Sequence, residues 1–233
     1  MARGTARRAP GGGRRRRARY HHGRLREAMI EATLRLIAEA GPEAVTVRAA
    51  ARRAGVSSGA PFRHFPNRTA LMTVVAEEAM SRFRAEIDAA LAAAAGADPL
   101  RRFAAIGEAY LHWALGNPTH FQVISTRSLI DFDGSAALKR DNEAIRRLME
   151  ETLREAQEGG QLREPDLAGI SLAGRALVYG LARMHADGHF AQWAEPGETP
   201  EAAMRRAFEL FLRGLAGDTI GPATTGGEEA TKQ

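Results

Sequence analysis

The chain has 233 residues, a formal net charge of +5, 44% hydrophobic residues and no cysteine. That length holds a small module plus a helical domain of about 130 to 150 residues with its own core, so two domains are expected. Without cysteine neither disulfides nor thiolate metal sites can form, which fits a reducing cytoplasm, and no apolar run reaches the ~20 residues that a bilayer span requires.

Residues 1–19 hold eight arginines and no acid, so the rest of the chain is net acidic. No apolar segment follows, which excludes a secretory signal. A tail rich in glycine and arginine is expected to be disordered on its own; it either lies along phosphates or in a minor groove, or reflects a coding bias toward arginine. Bias explains the scarcity of lysine (Lys139 and Lys232) but not the clustering.

Leu25, Met29, Ala32, Leu36 and Ile37 recur at helical spacing, and Gly41 and Pro42 end that helix. Next comes TVRAAARRAGVSSGAPFRHF, residues 46–65, which reads as two short helices joined by a tight turn. Thr46 is placed to cap the first, whose small apolar side is Val47, Ala50, Ala51 and Ala54. Gly55 supplies the left-handed turn, Val56 is its apolar residue, and Ser57 is placed to cap a second helix over residues 58–64. Pro61 falls near that helix's first turn, where at most one backbone bond is lost. A helix start attracts phosphate, and Ser58, Gly59 and Ala60 are small enough to sit against base edges. Arg48, Arg52, Arg53, Arg63 and Arg68 surround the hairpin, which favours a DNA-reading element over a hairpin in an ordinary core. Asn67 then caps a helix carrying Leu71, Val74, Val75 and Phe83 on one side.

The stretch IEATLRLIAEAGPEAVTVRAAARRAGVSSGAPFRHFPNRTAL, within residues 22–80, resembles the N-terminal DNA-binding domain of the TetR/AcrR family of bacterial one-component regulators. The resemblance implies that Thr46 and Arg48 lie near phosphates, that Ser57, Ser58, Gly59, Ala60 and Phe62 occupy a recognition helix with Arg63 beside them, and that His64 and Arg68 touch the DNA backbone. Phe65 would pack the hairpin on the following helix. Phe62 replaces the family's usual tyrosine and Arg68 its usual lysine. Phe62 can still meet a thymine methyl and arginine remains a good phosphate partner, so the departures bear on specificity.

Beyond residue 95 the pattern stays helical, with helices expected at 98–115, 117–126, 135–158, 166–187 and 200–215. Segment 218–233 has almost no large apolar residue and reads as a mobile tail. The expected fold class is all-α, a three-helix helix-turn-helix DNA-binding domain joined to a larger ligand-binding and dimerisation domain. The boundaries are 1–19 basic arm, 20–66 DNA-binding domain, 67–95 connecting helix, 96–217 effector and dimer domain, and 218–233 tail.

Leu167, Ile170, Ala173, Leu177, Leu181 and Met184 mark an apolar stripe on one late helix, and Met204, Phe208, Phe211, Leu212 and Leu215 mark one on the other. They form either a dimer surface or the core of one chain. By resemblance, the two helices pair across a two-fold axis into a four-helix bundle, implying a homodimer on a palindromic operator. Segments WALGNPTHFQVIS and AGRALVYGLARMHADGHF are similar to the C-terminal domain type named for a Trp-His-Gly signature, with Arg175 and Tyr179 in place of tryptophan and histidine and Gly180 retained.

Effector-pocket candidates are Phe103, Tyr110, Trp113, Phe121, Met149, Arg175 and Tyr179, residue types that serve equally as core. Tyr110, Trp113, Tyr179 and Arg175 would bring hydrogen-bond donors into an oily interior and orient a small, mostly apolar effector, with an anion for Arg175. Arg175 could instead pair with an internal acid or sit at the dimer seam. No catalytic residue, cofactor or metal is expected. His185 and His189 have metal-ligand spacing, but Gly188 weakens their helix and no third ligand is near. The rival readings are a ligand-independent architectural DNA binder and a metal-dependent helical enzyme. In the regulator reading, a ligand between the middle helices shifts the helix that starts at Asn67, and with it the spacing of the two reading elements.

Overall fold

In a computed structural model the described residues are 12–217 except 58 and 164, with side chains described from Leu25 onward. They form eight helices: α1 (Gly12–Ala40), α2 (Val47–Arg53), α3 (Arg68–Ala93), α4 (Pro99–Gly116), α5 (Pro118–Ser125), α6 (Ala136–Glu158), α7 (Leu167–Ala186) and α8 (Pro200–Leu215). Among the described residues there is no strand, only an isolated bridge between Leu162 and Ala216. All five helices expected beyond residue 95 are present to within one residue at either end. Their boundaries follow from side-chain caps and prolines: Asp166 accepts from the Gly169 N–H at 2.9 Å, Thr199 from Ala202 at 3.2 Å, and Pro118 and Pro200 open α5 and α8.

Residues 12–19 belong to α1, so that half of the expected disordered arm is helical; residues 1–11 and the 218–233 tail lie outside the described residues.

The chain divides into two compact units, one of residues up to Arg82 with Asn117–Arg140, the other of Phe83–Gly116 with the residues from Asp141 onward. The contacts thus group α5 and the loop after it with the N-terminal helices, where a division along the sequence would place them with the C-terminal domain. Helices α3 and α6 each supply residues to both units. In the first, α1 packs on α2 and α5 around Met29, Ala32, Ile37, Val47, Ala50, Ala51, Phe65, Leu71 and Val75, all buried. Leu25, Leu36 and Val74, expected on the same faces, are half-buried. Each large core side chain contributes about 1.5–3 kcal/mol by leaving water.

In the second unit α4, α7 and α8 pack on one another. Two glycines set the approach: the Phe208 ring lies against the backbone of Gly107, and the rings of Phe103 and Phe211 against that of Gly174. The chain end is tied back by Arg163 N–H to Leu215 O at 2.9 Å and Gly217 N–H to Gln161 O at 2.8 Å.

The two late-helix stripes divide between the core of the chain and its surface, Ala173 being exposed and Leu167, Leu177, Met184, Phe211 and Leu212 half-buried. Ile170, Leu181, Met204, Phe208 and Leu215 are buried within the single chain, whereas Leu172 is 71% and Leu210 65% exposed, beside the exposed Ala168, Ala176 and Tyr179 of α7. Helix α7 is apolar almost all round, so its periodicity could not say which side meets its own chain.

Candidate nucleic-acid interface

Thr46 caps α2 as expected, its hydroxyl accepting from Ala49 N–H at 3.0 Å, an interaction of about 1 kcal/mol. Helix α2 ends in a turn through Gly55, whose φ of +68° is the left-handed conformation that glycine adopts without steric cost. Val56 N–H then reaches back to Ala51 O at 3.1 Å.

The second element differs from the expected helix over residues 58–64. Its regular part is a 3-10 turn, Pro61–Arg63, entered through Ala60 in helical conformation. Pro61 has no N–H to bond Ser57 O, so the Ala60 N–H takes that carbonyl instead at 3.3 Å, and the segment tightens. No side chain caps it, so the role expected of Ser57 falls to its carbonyl. Ser58 lies outside the described residues. Pro61 and Phe65 point inward and are buried, while Ser57, Gly59, Ala60, Phe62, Arg63 and His64 are exposed. Asn67 caps α3, accepting from Ala70 N–H at 2.8 Å.

The five clustered arginines separate into two groups. Arg53 is paired with Glu39 of α1. Arg68 donates to Pro42 O at 2.9 Å and to Glu43 at 3.2 Å. These guanidiniums brace the hairpin against α1 and the turn after it, so Arg68, expected at the DNA backbone, also ties the start of α3 to that turn. Arg48, Arg52 and Arg63 have no carboxylate within ion-pair distance among the described residues. Arg48 and Phe62, the latter 39% exposed, approach with the guanidinium carbon 6.0 Å from the ring centre. The hairpin thus presents three uncompensated cations and an exposed aromatic ring around a short turn of small residues. Such a surface suits a phosphate backbone flanking a groove.

The effector candidates come together only in part. Phe103, Tyr110, Trp113, Met149, Arg175 and Tyr179 belong to the second unit, but Phe121 is buried in the first, on α5, which packs against α1. Tyr110 and Trp113 are buried around Phe83, at ring separations of 5.1 and 5.0 Å. Phe83, whose helical spacing marks it only as a packing residue, is the ring on which both aromatics close. Arg175 stacks on Tyr110 at 4.9 Å and Tyr179 at 5.9 Å. Burial pushes the Tyr110 phenol above its ordinary pKa, with the neighbouring Arg175 partly opposing, so it stays neutral near pH 7 and can hold a hydrogen bond. Arg175 and Tyr179 are exposed in the single chain, which corrects their placement in an oily interior. An open groove of about 510 Å³ along α3 and α4 is floored by alanines and rimmed by Glu86, His112, Arg101 and Glu108; no effector candidate lines it. The helix holding His185 ends at Ala186, and Gly188 turns left-handed before His189, so the two histidines do not share a helix.

A helix-turn-helix unit with a cationic face, followed by an all-helical unit, defines a class of DNA-binding regulator. Residues 29–75 match the bacterial regulatory proteins of the tetR family, and residues 103–215 match the tetracyclin repressor-like C-terminal domain, a description that does not carry the Trp-His-Gly subdivision. The chain belongs to the TetR family. It is similar to the HTH-type transcriptional repressor KstR of Mycobacterium tuberculosis, 30% identical over 137 residues, which are 58% of this chain and 60% of that repressor. For KstR of Mycolicibacterium smegmatis the figures are 31%, 58% and 64%. The match therefore spans less than two thirds of these curated relatives. A solved protein of unknown function from Rhodococcus sp. RHA1 aligns with a TM-score of 0.69 and 28% identity, over 85% of this chain and 98% of the other. The TetR family transcriptional regulator PfmR from Thermus thermophilus shares the fold, with a TM-score of 0.63 and 23% identity over 82% and 96%.

Proposed function

We propose that this chain is a sequence-specific DNA-binding transcription regulator, a repressor that binds a palindromic operator as a homodimer and leaves it when a small, largely apolar effector binds. The observation that carries this reading is the division of the hairpin arginines, with Arg53 and Arg68 braced internally and Arg48, Arg52 and Arg63 exposed without a carboxylate partner among the described residues. The three cations would neutralise phosphates, while Ser57, Ser58, Gly59, Ala60 and Phe62 face base edges.

The outer side of α7 and α8 supports the two-fold pairing. Leu172, Ala176 and Tyr179 of α7 and Leu210 of α8 are exposed apolar side chains on helices that also expose Arg175, Arg206, Glu209 and Arg213, and a second copy of the chain would cover them. The cluster of Tyr110, Trp113, Phe103, Arg175 and Tyr179 is the effector region this reading favours. Phe83, in the middle of α3, touches that cluster, and the first turn of the same helix follows the reading turn in the chain.

Gel-shift with DNA from upstream of the chain's own coding sequence, against random DNA of equal length, tests the proposal. A regulator discriminates by about a thousandfold or more, whereas equal binding supports an architectural role instead. Adding apolar and aromatic compounds should release the specific complex alone.

A further inference from the structure

The loop between α5 and α6 is fastened to α3 by two side chains one helical turn apart. Thr73, nearly buried, accepts the backbone N–H of Asp131 at 2.9 Å and donates to Thr69 O at 2.8 Å. Glu77 accepts the hydroxyl of Ser135 at 2.7 Å and faces Arg26 of α1 at 3.7 Å. Ser135 is itself buried and caps α6, accepting from Leu138 N–H at 3.2 Å. The loop is stiff in its own right: Asp131 accepts from Gly134 N–H at 2.9 Å, and the Arg127 guanidinium lies on the Phe132 ring at 3.3 Å. A shift of the start of α6 therefore stretches the Ser135–Glu77 hydrogen bond, and a shift of the loop before it stretches the bond from Asp131 to Thr73.

The placement is more than a core contact requires. Thr73 and Glu77 stand about two and three turns along α3 from its cap Asn67, which lies four residues after Arg63, the last residue of the reading turn, and Arg26 brings α1 into the same junction. Helix α6 continues from this junction to Met149, one of the effector candidates.

We propose that Thr73 and Glu77 are positioning residues for operator binding: they clasp the start of α6 to α3, so that the state of α6 and the state of the DNA-reading turn are coupled. This rests on the reading of the chain as a DNA-binding regulator. Coupling between two sites is reciprocal, so DNA can serve as the ligand in place of an unidentified effector.

The test is amide hydrogen exchange over residues 136–145 of the full-length protein, with and without its own upstream DNA. In the wild type, DNA should slow exchange there by about fivefold or more. The variant T73V/E77A, which removes both acceptors, should bind the DNA more weakly and, at DNA concentrations that saturate it, show no such slowing. In T73S/E77Q both acceptor oxygens are retained, and the slowing should return. Equal slowing in T73V/E77A, or none in a wild type that is bound to DNA, overturns the clasp. Failure of the wild type to prefer its upstream DNA overturns the functional reading instead. If T73V/E77A does not fold, judged by its melting curve, the single variants T73V and E77A are compared, each expected to lose part of the slowing; full slowing in both overturns the proposal.

Discussion

Replacing Arg63 by alanine removes one of the three hairpin cations without a carboxylate partner among the described residues, and the same substitution at Arg68 removes one that already holds Pro42 O and Glu43. Each neutralised phosphate contributes about 0.9 to the slope of log affinity against log salt, and a two-fold dimer loses two contacts per substitution, so Arg63→Ala should flatten the slope by about 1.8. Between about 50 and about 200 mM salt that difference amounts to roughly a twelvefold narrowing of the gap between wild type and variant. Arg68→Ala should leave the slope within about 0.5 of wild type and instead lower the melting temperature, because the turn after α1 loses its tie to the start of α3. Fluorescence anisotropy at four or five salt concentrations reads both. An unchanged slope for Arg63→Ala, or equal flattening for Arg68→Ala, would show that internal pairing does not sort the phosphate contacts from the struts.

Three further outcomes are expected. Gly107→Val places a branched side chain where the Phe208 ring lies against the α4 backbone; the overpacking should cost about 1–3 kcal/mol and lower the melting temperature by several degrees, and a melt within a degree of wild type would contradict that contact. Glu198 is held at a pKa of about 2, against an ordinary 4.5, first by its hydrogen bond with Arg206. A depressed folded pKa stabilises above the unfolded value and the benefit fades as pH falls from about 4.5 toward 2, so wild type and Glu198→Gln should differ in melting temperature at pH 6 and converge by pH 2; a gap that widens on acidification refutes the assignment. Finally, Leu172→Glu and Leu210→Glu should each shift the protein toward monomer in sedimentation at micromolar concentration while retaining helical content, and a dimer that persists in both moves the interface elsewhere.

The sequence by itself determined the helices and their ends, because a cap, a proline or a left-handed glycine acts within a few residues: Thr46, Gly55, Asn67, Asp166 and Thr199 all stand where local chemistry places them. The reading element was legible in position but not in form, since the missing N–H of Pro61 converts a full helix into a 3-10 turn, a consequence that the notion of proline near a first turn underestimates. Only the tertiary structure decided which of two chemically identical arginines is paired: Glu39 of α1 reaches Arg53, and no carboxylate among the described residues reaches Arg63. It likewise decided which side of α7 is covered, because a helix that is apolar on most of its faces carries only a weak periodic signal. The junction of Thr73, Glu77, Asp131 and Ser135 joins residues 58 apart, a separation that no local pattern in the chain encodes and that only packing of α5 beside α1 brings within hydrogen-bond reach.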